Sequence, residues 1–278
     1  MISWWQSIVL GIVEGITEFL PISSTGHLTV AEKLMGLPID DPSVTAYTAV
    51  IQVGAMIASI VYFWSDIVRF ASAWFTGLRD AAQRGSDYRM GWAIIAGFIP
   101  TAVIALLAEP LITGPLRSLW AVVAGLIGWS VVMFIGDRIG KQTRGEDSIT
   151  VRDGIILGIL QSLALVPGVS RSGATITGGL LLGLDRVSAT RMSFFLGIPT
   201  LIASGLYEAL KEAKNISAGV GWASTLLGTA VSGVVAYAAI AWLLRYVSKH
   251  NFTWFIVYRV ALALVIIVLL ATQTISAS

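Results

Sequence analysis

Six stretches of this chain are apolar for long enough to cross a hydrocarbon core of about 30 Å as α-helices. They run approximately Val44–Trp64, Met90–Ala108, Leu119–Gly136, Met192–Tyr207, Val220–Leu244 and Trp254–Thr272. Composition agrees with them. Of 278 residues, 56% are hydrophobic and only 12% charged, too few charges to cover the outside of a soluble protein. Eight of the ten Trp (Trp4, Trp5, Trp64, Trp92, Trp120, Trp222, Trp242 and Trp254) fall near the ends of apolar stretches, where aromatic belts lie. A net charge of +2, no Cys and no low-complexity tract exclude a nucleic-acid binder, a disulfide scaffold, Cys–zinc or thiol chemistry, and disorder. Met1-Ile2-Ser3-Trp4-Trp5 has no basic n-region, so no cleaved signal peptide is expected. Between Asp66 and Arg84, Ile67, Phe70, Trp74 and Leu78 share one helical face, which suits a helix lying in the interface, an ordinary solvated loop being the alternative.

Two more apolar stretches are interrupted. Trp4–Leu34 is broken at Leu20-Pro21 and carries Glu14, Glu18 and His27; Ile155–Leu184 is broken at Val166-Pro167-Gly168 and carries Arg171. Each half is too short to span, and broken backbone at membrane depth needs protein or a watery cavity around it. Both are expected to be re-entrant helical hairpins. The order is then hairpin, three spans, hairpin, three spans. Gly11-Ile-Val-Glu-Gly15 echoes Gly154-Ile-Ile-Leu-Gly158, and each is followed by a Pro break and a Ser-rich turn. Three spans per copy is odd, so the copies invert. The expectation is one all-α membrane domain over 1–278, with an inverted-topology repeat of about 1–140 and 150–278 and a site near the midplane.

Positive charge orients it. With the first hairpin's opening and both termini on one face, the other face receives Arg69, Arg79, Arg84, Arg89, Arg138, Lys141, Arg144, Arg152, Arg186, Arg191, Arg245 and Lys249. The first face receives Lys33, Arg117, Lys211 and Lys214. Twelve against four makes the richer face cytoplasmic and puts both termini outside.

Glu14, Glu18 and Arg171 facing lipid would cost on the order of 8–10 kcal/mol together, so they face a polar cavity and one another. Glu14 and Glu18 are spaced i,i+4 on one helix face, where two carboxylates repel unless a cation lies between them or one is protonated. Mg²⁺ or Ca²⁺ is the natural cation for such oxygen ligands; a proton-shared structural pair is the alternative. Ser23-Ser24-Thr25-Gly26-His27 supplies hydroxyls and N–H groups at a helix start, an anion site, with His27 placed for acid/base work. Ser170-Arg171-Ser172-Gly173-Ala174-Thr175 supplies a guanidinium suited to phosphate oxygens, or else a packing turn whose Arg171 pairs with an acid. Arg259 either belongs with this group or snorkels to the cytoplasmic boundary, and His250 is read as structural. Together these parts suit phosphoryl transfer.

The stretch Glu14-Gly-Ile-Thr-Glu-Phe-Leu-Pro-Ile-Ser-Ser-Thr-Gly-His27 and Pro167-Gly-Val-Ser-Arg-Ser-Gly-Ala-Thr175 resemble the two signature motifs of undecaprenyl-diphosphatases of the bacitracin-resistance type. Gln52, Ser193-Phe-Phe and Tyr258-Arg259 extend the likeness over essentially the whole chain. The resemblance implies a bacterial inner-membrane hydrolase that takes the terminal phosphate from undecaprenyl diphosphate with a divalent metal, its active site opening outward, and a homodimer. Carried across, Glu14 and Glu18 handle the metal, Ser24 is the nucleophile candidate and His27 the general acid/base. Arg171 holds the diphosphate with Ser170, Ser172 and Thr175, and Ser23, Thr25 and Gln52 join the binding set. Ser24, His27 and a water on the metal all stand as attacking groups. Architecture alone would favour a transporter or flippase for a phosphorylated lipid, since inverted repeats and broken helices are transporter features.

Overall fold

Several helices start where a side-chain oxygen meets the first free N–H groups. Ser3 caps α1 (Trp4–Thr17), Asp41 caps α3 (Pro42–Tyr62) and Ser118 caps α6 (Leu119–Ile139). Thr150 closes a capping box on α7 (Val151–Gln161), and Asp185 caps α9 (Arg186–Ala218). The computed structural model describes residues 2–38, 41–112 and 118–276; Met1 and Arg117, used above, lie outside them. The remaining helices are α2 (Ser24–Leu34), α4 (Trp64–Arg79), α5 (Ser86–Ile112), α8 (Arg171–Leu181), α10 (Trp222–Val247) and α11 (Thr253–Ala271). Among the described residues there is no strand, only an isolated bridge between Arg144 and Leu184.

The protein is a multi-pass, all-helical membrane protein. Among the described residues six helices are long and apolar enough to cross a bilayer: α3, α5 through Ala108, α6, α9 through Tyr207, α10 and α11. They coincide with the six apolar runs of the sequence. Their outer faces stay apolar, with Leu107 77% and Val234 75% exposed, which lipid tolerates and water would not. The two interrupted stretches are short helix pairs, α1 with α2 and α7 with α8, parted at residues 18–23 and 162–170.

Lipid tails are as apolar as the side chains they would meet, so close backbone approach holds these helices together. A methyl on Gly11 or Gly15 of α1 would sit 2.6 Å from a carbonyl oxygen of α10, that of Gly228 or Ser232 respectively. Gly154 and Gly158 of α7 lie likewise against the carbonyls of Ala93 and Gly97 of α5, at 2.1 and 1.9 Å. The paired glycines of the sequence therefore serve one packing job twice. The helix before each break rests on a span from the other half of the chain.

Helix α4 is amphipathic, as expected, but its buried side is narrower. Phe70 and Gly77 are buried and Ile67 and Trp74 half-buried, while Leu78 is exposed together with Val68 and Phe75. Gly77 lets α4 close onto Tyr88 at the start of α5, which turns the contact line past Leu78. At the same end of the molecule, Arg144 grips Asp153 at 2.6 Å. Burial pushes the Asp153 carboxyl up, but hydrogen bonds from Arg144 and from Thr150 outweigh it and hold the group below the ordinary carboxylate range.

Candidate active site at the two helix breaks

Each break ends on a serine in an unusual backbone conformation. Ser23 has φ 75° and Ser170 has φ 74°, left-handed values that cost a non-glycine residue roughly 1–3 kcal/mol. Each side chain accepts a hydrogen bond from the N–H three residues on, Gly26 at 3.4 Å and Gly173 at 3.2 Å. The bend and the cap together start α2 and α8, whose first residues are Ser24 and Arg171.

Those two first residues meet at one carboxylate. The Ser24 hydroxyl donates to Glu18 Oε2 at 2.9 Å. Arg171 donates to Glu18 Oε1 from Nη2 at 3.1 Å and from Nε at 3.3 Å, and from Nη1 to the Ser193 carbonyl on α9 at 3.2 Å. A second tie joins the breaks directly, the Ser172 hydroxyl donating to the Leu20 carbonyl at 3.0 Å and lying 3.1 Å from that of Ser170. The Thr175 hydroxyl is 2.5 Å from that of Ser193. Aromatic packing fixes the frame: Phe19, next to Glu18, meets Phe194, next to Ser193, edge to face at 5.1 Å between ring centres.

The other site residues divide. Glu14 is fully buried, and neither of its carboxylate oxygens has a hydrogen-bond partner among the described residues. The helix continues from it to Glu18, whose N–H donates to the Glu14 carbonyl at 3.0 Å, so the two acids do share a face. Thr25 is exposed and Gln52 half-buried, and neither is hydrogen-bonded to this cluster. His27 is not hydrogen-bonded to Ser24. Its Nδ1 is 2.7 Å from the Ser23 carbonyl, which only accepts, so Nδ1 carries hydrogen; its Nε2 is 2.7 Å from the Tyr258 hydroxyl. The two rings stack, 3° from parallel. His250 stacks on Tyr246 away from the breaks, in keeping with a structural role.

The sequence left two places open for Arg259, with the polar group or at the membrane boundary. Snorkelling is overturned: the residue is 0% exposed. It makes no ion pair among the described residues, because carbonyl oxygens and the Ser130 hydroxyl surround its guanidinium before any acid can reach it. The sequence reading also gave no role to Ser193, Tyr258 or Gly197, although Ser193-Phe-Phe and Tyr258-Arg259 stood among the stretches of likeness.

A hard divalent ion fits the residues present. Glu14 offers two buried, unpartnered carboxylate oxygens that call for a cation or a proton, and Glu18 and Ser24 add further oxygen donors. Among the described residues no group of three or more His, Cys, Asp or Glu could hold an ion by itself. The donor set suits an ion bound through one or two carboxylates plus phosphate oxygens.

The model of the family described as bacitracin resistance protein BacA matches residues 7–265. Undecaprenyl-diphosphatase 1 of Streptomyces coelicolor is 54% identical over 273 residues, covering 98% of this chain and 97% of that protein. An undecaprenyl-diphosphatase of Cutibacterium acnes is 51% identical over 283 residues, covering 99% and 100%. Undecaprenyl-diphosphatase 3 of Frankia casuarinae is 50% identical over 274 residues, covering 98% and 99%. With its acid, hydroxyl and guanidinium gathered where those motifs fall, the chain belongs to the bacitracin resistance protein BacA family.

Proposed function

We propose that this protein hydrolyses undecaprenyl diphosphate to the monophosphate and inorganic phosphate, recycling the lipid carrier of cell-wall synthesis and so conferring bacitracin resistance. The observation that carries the chemistry is the single Glu18 carboxylate that receives both the Ser24 hydroxyl, at 2.9 Å, and the Arg171 guanidinium, at 3.1 Å, from opposite breaks. The names of the relatives favour hydrolysis over carriage of the lipid.

Arg171 is the diphosphate-binding group, because phosphate oxygens compete with Glu18 for the same planar donors. Once the guanidinium turns to phosphate, the Glu18 carboxylate is free to take the proton of Ser24, whose hydroxyl already donates to it. Ser24 Oγ then attacks the terminal phosphorus, the bridging oxygen leaves with the lipid monophosphate, and water cleaves the phosphoserine. This favours Ser24 over His27 as the nucleophile, since the hydroxyl already points at a base. His27, held by Tyr258, serves the proton traffic of the leaving group. Ser170, Ser172 and Thr175 hold the Arg171 loop, and Ser23 bends the Ser24 loop. Glu14 and Glu18 are the metal-holding pair. A bound Mg²⁺ or Ca²⁺ would neutralise charge on the phosphates.

Several features support an inverted repeat of two re-entrant hairpins near 1–140 and 150–278: the matched φ values at Ser23 and Ser170, the matched caps, and the exchanged packing of α1 on α10 and α7 on α5. The charge count supports an outward-opening site with both termini outside. Pairing into a homodimer, implied by the family likeness, belongs to the same proposal and is read by light scattering on the assay sample.

Phosphate release from undecaprenyl diphosphate tests the whole reading. Wild type is expected to turn over with Mg²⁺ or Ca²⁺ and to stop with EDTA, and EDTA is also expected to lower the melting temperature. Glu18→Gln, Arg171→Ala and Ser24→Ala are expected to fold and lose turnover. Near-normal release by the first two would refute the assignment.

A further inference from the structure

One guanidinium reaches both breaks at once. Arg259 of α11 donates from Nη1 to the Pro21 carbonyl at 3.2 Å and from Nη2 to the Gly168 carbonyl at 2.7 Å. These are matching positions: Pro21 lies two residues before Ser23, and Gly168 two residues before Ser170. Neither carbonyl belongs to a helix, so at membrane depth each needs a donor from elsewhere. The guanidinium is itself anchored from behind on α6, its Nε donating to Ser130 Oγ at 3.1 Å and its Nη2 approaching the carbonyls of Gly125 and Leu126 at 3.3 and 3.4 Å.

The second break is shaped to come this close. Gly168 has φ +91°, a conformation that favours glycine, and a methyl there would lie 2.2 Å from the Val122 carbonyl. Gly125 faces it from α6, where a methyl would lie 2.2 Å from the Pro167 carbonyl. Two missing side chains let the loop settle against α6 within reach of Arg259. Among the described residues no acid is paired with Arg259, and its guanidinium is met by these inward-turned carbonyl dipoles and the Ser130 hydroxyl. That makes the arrangement specific to the two loops rather than to a salt bridge.

We infer that Arg259 is a positioning residue that clamps the two helix breaks at their matching carbonyls and thereby sets the spacing of Ser24 and Glu18 from Arg171. It touches no reacting group. Its planar fork is what spans two acceptors at once, which a single ammonium does less well. The kinetic part of this inference rests on the phosphatase reading; the spacing part does not.

The chain has no Cys, so an introduced pair is labelled uniquely. Ile16, exposed just before the first break, and Val166, exposed within the second, are replaced by Cys and spin-labelled, and their separation is measured by pulsed electron resonance. In this background Arg259→Met is expected to broaden the distance distribution. It is also expected to lower kcat on the order of 100-fold and raise KM for undecaprenyl diphosphate, since misplacement by about 1 Å costs that much. Arg259→Lys is expected to fall between the two. Gly125→Ala, which forces the second loop off α6 while leaving Arg259 in place, is expected to broaden the distribution in the same way. An unchanged distribution with wild-type kcat and KM in folded Arg259→Met overturns the clamp, even if the melting temperature drops. If Arg259→Met does not fold, the same result for Gly125→Ala overturns it. Failure of the Arg259-containing parent to release phosphate counts against the phosphatase reading, and the distance measurement still decides the clamp.

Discussion

Adding a single methyl at Gly197 separates folding from chemistry in this site. A Cβ built there lies 1.9 Å from Arg171 Nη1 and 2.6 Å from its Cζ, where an ordinary contact needs about 3.5 Å. The end of the guanidinium must retreat by about 1.5 Å. That breaks the Nη1 bond to the Ser193 carbonyl, 3.2 Å long, and displaces the group along the Glu18 carboxylate, now 3.1 Å away, with which it stays paired. Folding suffers little, because the obstructing atoms are the tip of a flexible side chain. The lost charge-assisted bond costs about 1.5–3 kcal/mol, and alanine returns about 0.5–1 kcal/mol over glycine inside a helix. Catalysis suffers more: a displacement of this size is expected to cost on the order of 100-fold in turnover, about 2.7 kcal/mol of barrier. Phosphate release gives kcat and KM for Gly197→Ala, and thermal unfolding in detergent gives its stability. Gly158→Ala is the contrast, since its methyl would lie 1.9 Å from the Gly97 backbone carbonyl, which cannot swing away. It is expected to lower stability by about 1–3 kcal/mol while its folded fraction keeps a normal KM. Wild-type kcat and KM in well-folded Gly197→Ala would refute the argument that this glycine exists to seat Arg171.

Glu14→Gln replaces a buried ionisable carboxyl that has no hydrogen-bond partner among the described residues, so it should keep or raise the melting temperature while abolishing turnover and the stabilisation by added Mg²⁺ or Ca²⁺. A variant still stabilised by either ion would exclude Glu14 as a ligand. Tyr258→Phe keeps the stacked ring but deletes the 2.7 Å bond to His27, and kcat should fall about fivefold, equivalent to about 1 kcal/mol, with a displaced pH profile. An unmoved profile would leave Tyr258 without a part in proton transfer. The Asp153 carboxyl titrates below its unfolded value because of Arg144 and Thr150, despite its burial. Its contribution is therefore complete above about pH 4 and lost as pH falls through the depressed folded value. Asp153→Asn should lower the melting temperature at neutral pH and flatten its decline in acid; an equally steep decline would place the acid sensitivity elsewhere.

Local information along the chain determined the spans, the breaks and the charged residues of this protein. Six spans were readable because a bilayer demands about 20 apolar residues per crossing, a condition on consecutive residues that needs no tertiary knowledge. The breaks were readable because Pro21 and Pro167-Gly168 interrupt otherwise continuous runs. Glu14, Glu18 and Arg171 stood out because charge is rarely placed among such residues without use.

What only the folded chain decided are the partnerships across long separations in sequence. Glu18 and Arg171 are 153 residues apart, and nothing local says which oxygen the guanidinium takes. His27 meets Tyr258 across 231 residues, so its company could not be read from the neighbouring hydroxyls. Thr25 follows Ser24 in sequence but turns outward, because the bend at Ser23 aims only one of the two inward. Arg259 stood between the polar group and a membrane boundary until α6 and both breaks were packed around it. Hydropathy and spacing act along the chain, whereas carbonyl oxygens left free at a helix break acquire a donor only when distant helices close over them.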